Sequence, residues 1–483
     1  MNAFFANIWH GIKNDLKVDD DNCFLLLIGC VFITLFIFLS FFTTFFSYFA
    51  IFTSLAFGLV LNIKHKNTYS SLPLLFYLFS FSAVLNIINL KINIFSVITA
   101  IQTFAMAIEI LIKMIQKELK PNWWLFASAF LLITYIAILF FCKWFSFSSV
   151  LSLYTGIVLV IDFVYFKDEI DFKELGLFLC FGLLISCFLG LFYKYYPSLK
   201  NFFDITYAYN SFRFSGLFPN TNGLTYYGVF VLSIVFALFL RKEINIIFYP
   251  LLVAFLSILI ATVSKTVLVI CGVMMAISML LLLLKIKIEK KNLLVVLGLV
   301  FCLLVSVAIN YNNFKVILQR TSTPFQDKIQ DEENDGTKPS IPSEILSEYT
   351  TGRTDIWKGY LKDSFSSSKT ALFGTRLGRN YSIGDNIGKY GCHNIVVEII
   401  FNTGVVGLVL VVFYIYVSFT FFAKRFNVNG VLPIISTGLS LCLTDLFSYV
   451  VFMYYVLVLM ASYNRKIDNP NLKIVVKGDE SDT

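Results

Sequence analysis

Charged residues, histidines and prolines are scarce in this chain. Only 14% of its 483 residues are charged, whereas a typical soluble domain carries about 25%, so the composition excludes a soluble domain. The three histidines and nine cysteines show no spacing typical of a metal site or a disulfide framework, and no Gly-rich phosphate loop is present. Neither a metal nor another cofactor is therefore expected.

Apolar residues dominate instead. Hydrophobic residues make up 58% of the chain and aromatic residues 17%, and they gather in long runs separated by short charged breaks. Such runs are typical of transmembrane helices and are too long for barrel strands. The sequence therefore predicts an all-α, polytopic integral membrane protein with about 14 transmembrane helices and a long extracytoplasmic loop. The predicted spans lie near residues 23–41, 44–62, 71–89, 92–112, 122–141, 146–166, 175–193, 223–240, 245–263, 266–284, 293–310, 402–422, 430–444 and 447–463.

The distribution of Lys and Arg predicts the orientation. The net charge of +8 does not indicate nucleic acid as a partner, because the positive residues lie mostly between the predicted helices. With the N-terminus inside, the short inner segments hold far more Lys and Arg than the short outer ones, as the positive-inside rule requires. Both termini are therefore expected to be cytoplasmic. The predicted segments are a cytoplasmic segment at 1–22, transmembrane helices at 23–310 with an extracytoplasmic loop at 194–222, a large extracytoplasmic loop at 311–393, an interfacial helix and the last transmembrane helices at 394–463, and a cytoplasmic tail at 464–483.

Acidic residues are rare inside the predicted spans. Glu109 and Asp162 are the two that fall well within them, each about one helical turn from the predicted cytoplasmic end. We expect both to reach the membrane interface rather than to form a proton path. The candidate chemistry is therefore expected on the outer face.

Two outer turns carry cations. Arg213 opens the stretch RFSGLFPN, in which Gly216 and Asn220 predict a tight turn. A guanidinium held there suits phosphate oxygens, although it could also simply anchor a helix end. In the stretch TVSKT, Lys265 stands between two apolar runs, so its amine is held near the outer surface, where positive charge is disfavoured.

The long outer loop carries two further elements. In TTGRTDIWKGY, Arg353 begins a predicted amphipathic helix that contains Trp357. An arginine in the first helical turn opposes the helix dipole and suggests an anionic partner, although an ordinary exposed arginine is the other interpretation. His393 and Asn394 stand just before an apolar helix. An imidazole there suits a general base for a sugar hydroxyl, although a lone histidine is often only a structural hydrogen-bonding group.

Together these elements resemble the O-antigen ligase/polymerase family of bacterial membrane glycosyltransferases. The resemblance rests on R-x-x-G-x-x-P-N from Arg213 to Asn220, G-R-x-x-x-W from Gly352 to Trp357, and H-N followed by G-x-x-G from His393 to Gly407. It extends over residues 205–410, and the helices before this segment match only as a series of apolar runs.

The resemblance implies a site at the outer leaflet of the bacterial cytoplasmic membrane. It implies a polyprenyl-diphosphate-linked glycan as donor, a glycan acceptor, membrane lipid and other polysaccharide-assembly proteins as partners, and no metal or cofactor. By position, Arg213 and Arg353 would contact the donor diphosphate, and His393 would activate the acceptor hydroxyl with inversion at the anomeric carbon. Lys265 stands where many members have arginine, so the charge is kept but the bidentate fork is lost. The supporting residues would be Asn220, Asn394, Gly216 and Trp357.

Three functions are open at this point. The leading hypothesis is a polysaccharide polymerase that joins lipid-linked oligosaccharide repeat units of a capsule, O-antigen or cell-wall glycan. A ligase of the same family, which moves a finished glycan to a lipid or protein acceptor, shares these elements, and the number of predicted spans favours the polymerase. A transporter or flippase would need charged or discontinuous helices near the midplane, which the sequence does not predict.

Overall fold

The computed structural model describes most of the chain as helices. The described residues are 6–7, 10–11, 14–15, 21–40, 42–43, 45–81, 94–141, 147–192, 207–208, 211–218, 221–286, 291–319, 353–375, 394–423, 425–426, 430–441 and 449–463. The helices are α1 (Asp21–Ser40), α2 (Phe45–His65), α3 (Leu72–Phe79), α4 (Ile94–Ile115), α5 (Trp123–Phe141), α6 (Phe147–Tyr165), α7 (Phe172–Phe192), α8 (Thr221–Leu240), α9 (Phe248–Ala261), α10 (Lys265–Ile286), α11 (Lys291–Ile309), α12 (Tyr311–Gln319), α13 (Arg353–Ser364), α14 (Ser368–Phe373), α15 (Ile395–Ala423), α16 (Val431–Leu441) and α17 (Tyr449–Ala461).

Helix α8 lies at the centre of the bundle. Its residues from Gly223 to Leu240 are almost all buried, and α7, α9, α10, α16 and α17 pack against it. By contrast, α2 and α4 expose large apolar side chains such as Phe52 and Phe104. Apolar faces of this kind suit contact with lipid chains. The architecture is that of an all-α polytopic membrane protein.

A helix lies at least partly within each predicted span, but the predicted number of spans is not confirmed. Six helices in the described part are long and apolar enough to cross a membrane: Tyr48–His65, Phe95–Ile115, Trp123–Phe141, Phe172–Leu191, Gly223–Leu240 and Ile395–Ala423. A seventh arises if α11 and α12, which meet at an angle of 89°, form one span. Other helices are shorter. For example, the eight residues of α3 extend only about 12 Å, whereas the hydrocarbon core is about 30 Å thick.

A short β-hairpin departs from the all-α expectation. Strands β1 (Tyr207–Ala208) and β2 (Ser211–Phe212) pair antiparallel within the predicted outer loop 194–222. Tyr207 faces Phe212, and Ala208 faces Ser211. The hairpin leads directly into Arg213.

Charged side chains from distant parts of the chain meet at one end of the bundle. The Tyr463 hydroxyl donates to Asp168 Oδ1 at 2.6 Å, and Arg425 lies 3.7 Å from the same oxygen. Arg241 pairs with Glu243 at 2.7 Å and donates through Nη1 to three backbone carbonyls at the end of α17. We call this end of the bundle, where α6, α8, α15 and α17 terminate, the charged face.

The α2–α3 turn and the end of α4 join the charged face. Glu109 accepts hydrogen bonds from the backbone N–H and the hydroxyl of Thr68, each at 2.7 Å, and pairs with Lys113 at 2.7 Å. The Lys113 amine lies 4.9 Å from the ring centroid of Phe166, which directly follows α6. The sequence places all of these segments on the cytoplasmic side. The structure shows that these segments lie at the same end of the bundle. That this end faces the cytoplasm stays a prediction.

Three helices end on the charged face with a lysine where glycine is usual. Lys66, Lys117 and Lys242 have φ values of 54°, 64° and 60°, in the left-handed region. At each end, the lysine N–H and the next N–H bond back to carbonyls three and five residues earlier, as in a Schellman motif. A left-handed conformation costs a residue with a Cβ about 1–2 kcal/mol. Each of these lysines therefore destabilises the fold locally relative to glycine.

Asp162 does not reach the interface that the sequence predicts for it. Its side chain is fully buried in α6, and neither carboxyl oxygen has a hydrogen-bond partner among the described residues. Glu109, the other acidic residue of this kind, does meet the charged face. The prediction of an interfacial position is therefore wrong for Asp162 and stays a prediction for Glu109. An apolar pattern gives the depth of a residue but not the direction of its side chain.

Candidate active site

The sequence motifs lie at the end of the bundle opposite the charged face. Arg241 and Arg425 belong to the charged face and follow α8 and α15, so the first residues of these helices mark the opposite end. The segments just before those first residues contain the Arg213 loop and the H-N element. We call this end the motif face. It is the end that the sequence predicts to be extracytoplasmic.

Arg213 is held by the C-terminal end of α9. Its Nε donates to the carbonyl of Thr262 at 3.0 Å, and the N–H of the next residue, Phe214, donates to the carbonyl of Ala261 at 3.0 Å. The last carbonyls of a helix have no partner within the helix and form its negative dipole end, which favours a cation. The half-buried guanidinium is thereby fixed close to the turn that precedes Lys265.

Gly216 seats the Arg213 loop on α7. Its φ is +58°, and a Cβ built there would lie 3.3 Å from the Cys187 sulfur. On the other side of the contact, a Cβ at Gly190 would lie only 2.6 Å from the Gly216 backbone. Real Cβ atoms essentially never come so close. Both the backbone conformation and the close packing therefore require glycine at position 216. The contact fixes the Arg213 loop against α7.

The α9–α10 turn has a strained backbone. Val263 has a φ of 52°, which is rare for a β-branched residue. Its side chain is fully buried and packs with Ile260 and with Ile317 of α12. This packing holds a conformation that the isolated turn would avoid. Lys265 follows as the first residue of α10, and its side chain lies outside the described part of the chain.

Helix α13 packs directly on the first segment of α15. The rings of Tyr360 and Phe401 lie 4.8 Å apart in an edge-to-face arrangement, and Val397 is buried with them. Trp357 is half buried and joins this cluster through its apolar ring. Arg353 is the first residue of α13, and its side chain lies outside the described part. The amphipathic helix predicted after Gly352 is confirmed, and it packs against the segment that follows the H-N element.

Asn394 caps α15. Its Oδ1 accepts hydrogen bonds from the N–H groups of Val396 at 3.0 Å and Val397 at 3.2 Å, which have no partner within the helix. His393, one residue earlier, lies outside the described residues, as does Asn220. The cap explains why an asparagine follows the histidine, because it fixes the point at which the helix begins.

Helix α15 is interrupted at Gly404, nearly three turns after its cap. Gly404 has φ 68° and ψ −175°, which are not helical values. A Cβ on Gly404 would overlap the carbonyl of Leu372, and a Cβ on Gly374 would overlap the backbone of Asn402. The backbone of the turn after α14 therefore packs directly against the backbone of α15 at the break. Only glycine at both positions permits this contact.

The carbonyls at the break find partners outside the helix. The Thr375 hydroxyl donates to the Phe401 carbonyl at 2.7 Å, and the Tyr135 hydroxyl donates to the Thr403 carbonyl at 2.6 Å. Asn402 is also buried there, and its Oδ1 accepts no hydrogen bond from the described part of the chain. Specific hydrogen bonds and close backbone contacts therefore stabilise the break, and they connect α5, α14 and both segments of α15.

The structure gathers the sequence elements into two groups on the motif face. Arg213 and the turn before Lys265 form the first group. The second consists of α13, which begins at Arg353, and the α15 segment that Asn394 caps. Because His393 and the side chains of Lys265 and Arg353 lie outside the described part, their convergence with Arg213 on one point stays a prediction.

Sequence reasoning missed four residues that hold this face together: Gly190, Gly374, Thr375 and Tyr135. The stretch LFGT carries a usual helix-end signal, which could have indicated Gly374 as a C-cap. Nothing in the sequence pairs Gly374 with Gly404, or Gly190 with Gly216, because each pair is distant along the chain.

Comparison with protein-family models matches residues 250–412 to a model described as O-Antigen ligase. Comparisons with curated proteins and with solved structures found no match. The matched segment contains the turn before Lys265, α13 and the interrupted first part of α15, so it carries the motif-face elements except the Arg213 loop. The resemblance of this chain to the O-antigen ligase/polymerase family, predicted from its motifs, is thereby confirmed for residues 250–412.

Proposed function

We propose that this protein is a polysaccharide polymerase of the bacterial cytoplasmic membrane. It joins oligosaccharide repeat units that are linked to polyprenyl diphosphate, at the outer face of the membrane. The observation that carries this proposal is the position of the O-antigen ligase segment, whose turn before Lys265, α13 and α15 cap lie at the end of the bundle away from the charged face. A donor anchored in lipid presents its diphosphate at such a surface.

The cations of the motif face would hold the donor diphosphate. Arg213 is fixed through its Nε to the Thr262 carbonyl at the C-terminal end of α9, which orients a planar guanidinium before substrate arrives. Lys265 and Arg353, each the first residue of its helix, would complete the set. Groups oriented in advance stabilise the charge that develops on a leaving diphosphate without reorganisation.

His393 would act as the general base. The acceptor hydroxyl gives its proton to the imidazole while its oxygen bonds to the anomeric carbon of the donor, and the bond from that carbon to the diphosphate breaks. Attack from the face opposite the leaving group inverts the configuration. The electron pair of the broken bond goes to the diphosphate, where the cations stabilise it. A positioned base of this kind contributes about 10²–10⁴-fold.

A ligase is the second candidate, and the description of the matched family model favours it. The ligase would use the same donor and the same bond changes, but its acceptor would be a lipid or a protein rather than another repeat unit. The span count that favours a polymerase is not confirmed, so the acceptor decides between the two.

The test uses purified protein in lipid nanodiscs with a defined lipid-linked repeat unit as the only glycan. A ladder of products on a gel supports the polymerase. A single shifted band that appears only when a second acceptor is added supports the ligase and overturns the polymerase.

A parallel measurement in proteoliposomes separates enzyme from transporter. Movement of labelled lipid-linked substrate between leaflets, without any new glycosidic bond, would contradict both glycosyl-transfer functions. Formation of product without such movement is the expected result.

A further inference from the structure

A buried carboxyl group occupies the interior of the bundle, away from the motif face. Asp162 is fully inaccessible, and neither of its oxygens accepts a hydrogen bond from the described residues. It lies on α6, which packs against α4, α5, α15 and α17. The proposed glycosyl transfer does not use it.

Two tyrosine hydroxyls on the helices packed against α6 are committed to other partners. The Tyr414 hydroxyl on α15 donates to the carbonyl of Ile157 at 2.6 Å. The Tyr455 hydroxyl on α17 lies 2.7 Å from the carbonyl of Ile415 and 2.8 Å from the Ser418 hydroxyl. These groups join α6, α15 and α17 without solvating a carboxylate.

The charged groups of the neighbouring elements are also engaged elsewhere. On α4, Lys113 pairs with Glu109 at 2.7 Å. At the end of α15, Arg425 meets Asp168 at the charged face, six residues beyond Asp162 in the chain. On α5, the Tyr135 hydroxyl donates to the Thr403 carbonyl. No described cation therefore pairs with Asp162.

An ionised carboxylate without partners is far too costly in such a place, because burial in a low-dielectric interior removes its hydration. A single carboxyl also offers too few oxygens for a hard metal cation, which prefers six or more. Protonation instead removes the charge without requiring further ligands. We propose that Asp162 is a proton-binding site, which holds a neutral carboxylic acid inside the bundle where α6 packs against its neighbouring helices.

The direct test is infrared spectroscopy of the whole protein in nanodiscs at neutral pH. A protonated carboxylic acid has a C=O stretching band that is separate from the bands of carboxylate and amide groups. The wild type should show this band, and Asp162→Asn should lose it. Glu109→Gln is the matched control and should keep the band, because Glu109, unlike Asp162, has a cationic partner in Lys113 and accepts two hydrogen bonds from Thr68.

The infrared result can overturn the proposal in two ways. If wild type and Asp162→Asn differ only in a carboxylate band, Asp162 carries no proton. If the acid band appears only when sodium is removed, the site binds a metal cation instead.

Thermal unfolding gives an independent readout that does not depend on activity. Unfolding would release the proton into water, where an aspartate is ionised at neutral pH. Between about pH 5 and pH 8, this release lowers the stability of the wild type by up to about tenfold per pH unit in the unfolding equilibrium constant. Asp162→Asn keeps the size and neutrality of the group, so it should fold normally and show a weaker decrease with pH. Equal pH slopes in the two proteins would contradict the proposal.

Discussion

Arg213 is held in place by its own side chain rather than by the loop alone. Among the three cations proposed for the diphosphate, it is the one whose side chain the structure describes, with Nε on the Thr262 carbonyl. Lysine has no donor at the Nε position and no planar fork. The contact therefore distinguishes arginine from lysine at this position.

Arg213→Ala should abolish product formation while the level of protein in the membrane stays normal. Arg213→Lys should restore only part of the activity, because charge returns without the anchored fork. The measurement is the yield of glycan product per amount of purified protein. Lys64→Ala, which removes an exposed cation near the charged face, is the control and should leave the yield unchanged. Full activity in Arg213→Ala would refute the phosphate role.

Asn394 allows a helix cap to be separated from a substrate contact. Asn394→Ala should destabilise the protein by about 1 kcal/mol through loss of the cap, and Asn394→Asp should keep both the cap and the activity. Melting temperature and turnover are measured together for each variant. If aspartate impairs turnover as much as alanine while the melting temperature is normal, then the amide N–H₂ contacts substrate.

For individual residues, the sequence predicted that the Arg213 loop and the turn before Lys265 lie on the same face, but not what holds them together. RFSGLFPN indicated a turn and TVSKT a tight connection, and the two do meet through Arg213 and Thr262. The partner of Arg213 is a backbone carbonyl, which any residue carries, so no side-chain pattern could reveal it. The burial of Asp162 was missed for a similar reason, since its direction depends on helices far away in the chain.

Helix α15 is the element that links the candidate site to the membrane. Its first segment begins at the Asn394 cap and packs on α13, and its second segment runs to the charged face. The kink at Gly404 divides α15 into these two segments. The sequence predicts an interfacial helix followed by a span here, and that division relative to the membrane stays a prediction. It did not predict that Gly374 enters the break.

Gly404→Ala and Gly374→Ala should each be strongly destabilising. Both positions have positive φ, and an added Cβ overlaps backbone atoms that cannot move aside. Gly272→Ala on α10 is the matched control, because a Cβ there meets nothing within 4 Å. It should be neutral or stabilising by up to about 1 kcal/mol. Thermal unfolding in detergent measures all three, and a normal melting temperature for Gly404→Ala would contradict the described break.

The left-handed lysines at the ends of α2 and α4 should show the reverse effect: substitution by glycine should stabilise the protein. Lys66→Gly and Lys117→Gly should raise the stability of the fold by about 1 kcal/mol each, because glycine adopts this conformation without strain. Lys120→Gly, at an exposed lysine without positive φ, should give no such gain. Melting temperatures decide the matter, and equal effects at all three positions would show that charge rather than backbone strain determines the change.

At the scale of the whole molecule, the bundle has two different ends. One carries ion pairs and Schellman lysines, and the other carries the motifs, the strained α9–α10 turn and the backbone contact at Gly404. Apolar periodicity and the Lys/Arg distribution were sufficient to predict this division, since both are recorded along the chain. The number of spans was not predictable in the same way, because a run of apolar residues does not show whether its helix is long enough to cross.

In the proposed reaction, His393 activates an acceptor for a donor that is held at the motif face. The most direct measurement compares wild type with His393→Gln, purified in nanodiscs with a defined lipid-linked repeat unit, and records both donor binding and product formation. We expect normal donor binding and turnover reduced by about 10²–10⁴-fold in His393→Gln. Wild-type turnover in that variant, or loss of donor binding together with loss of folding, would contradict it.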